Sequence, residues 1–167
     1  LQRRLIEEFG PGRMEAGRYP EVHPANMFIG HMLRLELLSW WDESEKVMES
    51  LLRYFHHMAE KTGTLWENDQ AHASLNHGFA AHAAVSLYRD VLGLREIDVR
   101  DKTVRAVAPD LPLDWCQGTI PVPGGGTIRM RWERTGDDVH LELEAPEGYT
   151  TETTTTTETT TTTTTAK

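Results

Sequence analysis

Between Gly63 and His77 the chain gathers most of the side chains that could act on a substrate: Gly63-Thr64-Leu65-Trp66-Glu67-Asn68-Asp69, then His72, Asn76 and His77. An indole offers a broad apolar face that packs against the apolar face of a pyranose. A carboxylate beside it can orient a hydroxyl, or take a proton from a water as that water attacks. A loop tryptophan flanked by acids is more commonly a structural anchor. Residue types alone leave both uses open.

Other constellations carry less. His72, His77 and His82 recur every five residues, which on a helix spreads them around the axis, whereas metal-binding pairs want a spacing of three or four. No metal site is expected, and no cofactor. His56 and His57 are adjacent and diverge. Gly124-Gly125-Gly126 lies between two strand patterns with no helix after it, so it reads as a turn and not a phosphate loop. The single cysteine, Cys116, rules out an intrachain disulfide and a cysteine zinc site, and leaves the compartment open.

The elements that position these residues fall into three zones. Residues 1–93 read as helices. Leu1, Leu5, Ile6 and Phe9 form a short face stopped by Gly10-Pro11-Gly12, and a loop follows to Pro24. From Asn26 to Trp41 the positions Ile29, Met32, Leu33, Leu37 and Trp40 repeat at helical spacing and are expected to be core. Asp42 is the expected N-cap of the next helix, whose stripe is Val47, Leu51, Tyr54, Phe55 and Met58, ended by Thr62-Gly63. An alanine-rich helix from about Asn76 to Leu92 closes the zone, with Gly93 as its stop.

Residues 94–149 change period. Ile128, Met130 and Trp132 alternate with arginines, then Val139, Leu141 and Leu143 alternate with His140, Glu142 and Glu144 across the turn Thr135-Gly136-Asp137-Asp138. Pairing Trp132 with Leu141 sets Met130 against Leu143 on the buried side, and Arg131 against Glu142 and Arg129 against Glu144 on the wet side. Earlier strands are expected at 96–99, 103–107 and 115–122, giving an antiparallel β-sandwich. Residues 150–167 are nearly all threonine. They read as a low-complexity stalk or a placeholder and are set aside from function.

A formal net charge of -9 argues against nucleic acid, whose phosphates need a basic stripe. No run of eighteen apolar residues exists to span a membrane. The chain opens at Leu1 inside a helical pattern, as a piece of a longer protein does.

Several runs, in order, resemble a known family: Gly63-Thr64-Leu65-Trp66-Glu67-Asn68, Ser74-Leu75-Asn76-His77-Gly78-Phe79, Leu87-Tyr88-Arg89-Asp90-Val91-Leu92-Gly93, Asp110-Leu111-Pro112-Leu113-Asp114-Trp115 and Gly118-Thr119-Ile120-Pro121. From about Pro24 to Gly148 the sequence is similar to the end of bacterial α-L-rhamnosidases, inverting enzymes of the six-hairpin glycosidase group. The resemblance implies an α+β chain: the C-terminal part of an (α/α)6 toroid (residues 1–93), then an antiparallel β-sandwich (94–149) and the threonine tail. It implies that Glu67 is the general base and that His77 lines the sugar subsite. Trp66 and Asn76 match the motifs and are expected to bind substrate.

The implied reaction hydrolyses terminal α-L-rhamnosides. An inverting enzyme holds two carboxyl groups roughly 6.5–9.5 Å apart, leaving room for a water. Glu67 is one, and the acid partner is expected upstream, in the missing N-terminal part of the same enzyme, so the chain alone should be inactive. The expected partners are a rhamnose-containing glycoside or polysaccharide and that N-terminal part. Three alternatives stand: a catalytically silent carbohydrate-binding relative, a six-hairpin glycosidase for another sugar, and a scaffold that works through its sandwich.

Overall fold

A computed structural model describes residues 1–10, 12–23, 27–70, 72–155 and 159–163. The chain divides into two compact units, Leu1–Ser86 and Leu87–Lys167.

The first unit is helical. Helix α1 spans Gln2–Glu7 and α2 spans Phe28–Trp40. The expected start at Asn26 lies outside the described residues. Helix α3, Ser44–Ser50, runs through a π-helical stretch, Leu51–Phe55, into α4, His56–Thr62. The stripe Val47, Leu51, Tyr54, Phe55 and Met58 is buried throughout, as its spacing requires. Gly63 ends α4 in the left-handed region, φ 71°, with its N–H on the Ala59 carbonyl 2.8 Å away. Asp42 does not cap α3. It adopts φ 57° in the tight turn after α2, and Glu43 takes the cap position. Aspartate tolerates the left-handed region better than most residues, which is what so short a connection demands.

Helix α2 overturns one expectation. Ile29, Leu33, Leu37 and Trp40, expected in the core, are exposed, whereas Phe28, Leu35 and Leu38 are buried. The helix has two apolar faces, and periodicity cannot say which one meets the neighbouring helices. The alanine-rich segment is also less regular than its composition suggests. It forms a 3₁₀ turn, Gly78–Ala81, then α5, His82–Ser86, and in the second unit a π-helical stretch, Leu87–Leu92.

The second unit is two sheets around one core. Strands β3 (Trp115–Pro121), β4 (Thr127–Thr135) and β5 (Asp138–Glu144) form an antiparallel meander. The register read from the sequence is the one observed: Trp132 opposite Leu141, Met130 opposite Leu143, Arg131 opposite Glu142 and Arg129 opposite Glu144. The other sheet runs β1 (Leu94–Asp98), β2 (Thr103–Val107), β6 (Thr150–Thr154) and β7 (Thr159–Thr163). Leu94, Val104 and Ala106 from this sheet join Ile128, Met130, Trp132 and Val139 from the meander in a single cluster. The chain is α+β.

The threonine run, read as a low-complexity stalk or a placeholder, carries strands in the structure. Thr150–Thr154 pairs in parallel with β2, Thr159–Thr163 pairs with β6, and Thr151 is buried. Threonine is β-branched and suits a pleated strand. Glu158 and Ala166 of that run lie outside the described residues. Gly93 sits at φ 95°, and an added Cβ there would collide with the Val107 carbonyl. Only glycine fits.

Candidate active site

The loop after α4 is tied by backbone hydrogen bonds to two neighbours. On one side the Glu67 N–H donates to the Ser74 carbonyl at 3.0 Å and the His77 N–H donates to the Leu65 carbonyl at 2.9 Å. The Thr64 hydroxyl adds a bond to the Leu75 carbonyl. On the other side the Phe28 N–H donates to the Glu67 carbonyl at 3.1 Å, and Met27 forms an antiparallel bridge with Asn68. Both backbone groups of Glu67 are therefore occupied, and its position is fixed from both flanks.

Trp66 turns inward, with 8% of its surface exposed. Its indole N–H donates to the Thr62 hydroxyl at 2.8 Å, His57 meets it edge-on at 5.6 Å, and the Lys61 ammonium lies 5.8 Å from the ring centroid. This is the setting of an anchor, and it leaves little indole surface for a ligand. Glu67 is half-buried, and its carboxylate makes no hydrogen bond or ion pair among the described residues.

His77 is half-buried and packs its ring on Phe28 at 4.8 Å and Phe79 at 5.9 Å. Phe28 thus links the site: its backbone holds Glu67 and its ring supports His77. Asn76 is exposed immediately beside His77. Asn68 and Asp69 serve the loop itself, Asn68 accepting the Gln70 N–H at 2.9 Å and Asp69 accepting the Gln70 side-chain amide at 2.9 Å. His72 is exposed, and His82 lies against Phe28 and Phe55. Among the described residues no group of three or more His, Cys, Asp or Glu could hold a metal ion. No helix among them is long and apolar enough to cross a membrane.

Sequence reasoning missed Phe28 and Thr62. The signal for Thr62 was present, since it sits one turn before Trp66 at a helix end. Nothing local marked Phe28, because its role depends on where α2 begins in space. A concavity of about 630 Å³ in this unit is lined by Phe9, Arg13, His31, Arg34, Tyr54 and Asp69 among others, and not by Glu67, Trp66, Asn76 or His77. Two of its arginines are held by backbone carbonyls. Arg13 is spent on the carbonyls of Arg18, Tyr19 and Val22, and Arg34 donates to those of Leu5 and Phe9. Burial, then the nearby Asp69 charge, raises the Tyr54 phenol above its ordinary range.

Residues 95–167 match the family model described as the bacterial alpha-L-rhamnosidase C-terminal domain. Among curated proteins none matches. Among solved structures the chain is similar to the crystal structure of a GH78 family rhamnosidase of Bacillus sp. GL1, with a TM-score of 0.72 and 22% identity. That likeness covers 82% of this chain and 16% of the relative, so this chain spans about one sixth of the relative's length. The resemblance read from the sequence is borne out in two parts. The family model covers the strands and the structural likeness carries the fold across most of the chain.

Proposed function

We propose that the chain is the closing part of an inverting glycoside hydrolase that acts on terminal α-L-rhamnosides, with Glu67 as its general base. The observation that carries this reading is the placement of Glu67. Its backbone is tied to Ser74 and Phe28, its neighbour Trp66 is anchored on Thr62, and its carboxylate engages no partner among the described residues. A base must be held in one place yet keep its lone pairs for the water it activates. Glu67 meets both needs.

In this reading the helices of residues 1–93 close an (α/α)6 toroid whose earlier hairpins belong to the rest of the enzyme. Glu67 takes the proton of a water attacking the anomeric carbon. A second carboxyl group on the opposite face of the sugar, contributed by that earlier part, protonates the leaving oxygen. His77 and Asn76 border the sugar, and Trp66 serves binding chiefly by fixing the segment that presents Glu67.

The test is hydrolysis of an aryl α-L-rhamnoside by a full-length enzyme containing this segment, wild type beside Glu67→Gln. The substitution keeps shape and removes the base, so turnover should fall by about 10²–10⁴-fold with circular dichroism and sugar affinity unchanged. Full turnover by Glu67→Gln would reject the assignment. A wild type that binds rhamnosides without turnover, and binds equally after Glu67→Gln, would favour the silent binding relative instead.

A further inference from the structure

The run ending in Trp115 belongs to the stretches that carry the family resemblance, yet nothing in the hydrolysis at Glu67 uses that tryptophan. Trp115 opens β3 with 53% of its surface exposed. Strand periodicity places it on the same face as Gln117 and Thr119, and the register continues that face across Arg129, Arg131 and Glu133 on β4 to Glu142 and Glu144 on β5. The opposite face carries Ile128, Met130 and Trp132 into the core. Trp115 is thus a large apolar ring on the polar side of the sheet, where core packing does not require it.

The polar groups around it are fixed. The Arg131 guanidinium lies 5.3 Å from the Trp115 ring centroid, and it donates to Gln117 Oε1 at 3.2 Å and to Glu133 Oε2 at 2.9 Å. Arg129 reaches Glu144 at 3.5 Å. A shallow depression of about 420 Å³ follows, lined by Gln117, Thr119, Arg129, Arg131, Glu142 and Glu144. Arginines and glutamates alternate across it, so the face has little net charge to attract a polyanion or a polycation. Donors and acceptors stand side by side, which is what a row of hydroxyls can use, since each hydroxyl both donates and accepts. The indole supplies the apolar platform a pyranose ring stacks on.

We infer that this face of the meander is a carbohydrate-binding surface separate from the Glu67 site. It takes a neutral pyranoside chain, with Trp115 as the stacking platform and Gln117, Arg131 and Glu142 as hydrogen-bonding groups. This inference does not rest on hydrolysis at Glu67.

The experiment is native gel electrophoresis of the 167-residue chain in gels containing galactomannan, xyloglucan or arabinoxylan, each compared with a gel lacking polysaccharide. At least one should retard the wild type. Trp115→Ala should weaken that retardation roughly tenfold or more, Trp115→Phe should keep part of it, and Arg131→Ala should weaken it. Asn76→Ala, which removes an exposed group bordering the sugar at the Glu67 site, should leave it unchanged. No retardation by any of the three, or retardation untouched by Trp115→Ala, would overturn the inference. So would loss in Asn76→Ala alone, which would assign the binding to the other site.

Discussion

Trp132 has no exposed surface, and its indole N–H reaches the Leu92 carbonyl at 3.0 Å. It stands in a cluster fed by both sheets. Trp132→Ala removes the largest core side chain and leaves that carbonyl without its donor. A loss of about 3–5 kcal/mol is expected, read by urea denaturation, and a loss below about 1 kcal/mol would contradict the packing described. The same scale separates Trp66 from Glu67. Both were legible as candidates from residue type and motif. That one is a buried anchor and the other is half-buried with its backbone tied to Ser74 and Phe28 is a matter of tertiary contacts, which no residue type specifies.

At the scale of elements, helices with one apolar face and strands with one buried face were readable, and α2 was not. The α3–α4 stripe has a single apolar side, so its burial was determined locally. The hairpin β4–β5 was determined twice over, because its core residues and its charge pairs select one register. Helix α2 offers two apolar sides, and the one left open carries Leu33 at 57% and Trp40 at 84% exposure. A continuous stripe of that kind promotes association. Replacing Leu33 with Lys and Trp40 with Glu should shift size-exclusion profiles toward monomer, and melting should change little because neither side chain is buried. Unchanged association in the double variant would mean the stripe is not its cause. The threonine strands show the reverse limit. A repeated residue carries no alternation to read, so only the free edge of β2 reveals that Thr150–Thr154 pairs there.

At the scale of the molecule, the proposed mechanism places one catalytic carboxylate, Glu67, in this chain and takes the second from another part of the enzyme. The 167-residue chain alone should therefore release no measurable phenol from an aryl α-L-rhamnoside. Turnover by the isolated chain, lost in Glu67→Gln, would place both catalytic groups within it. The sequence by itself determined the order of helices and strands, the hairpin register and the loop that carries the candidate base, because periodicity and motif are local properties of the chain. Only the tertiary structure decided which face of α2 is buried, that the threonines complete a sheet, and that Trp66 is buried while Glu67 is half-buried. Each of those depends on which distant backbone or side chain supplies the contact, and a one-dimensional pattern does not carry that partner's identity.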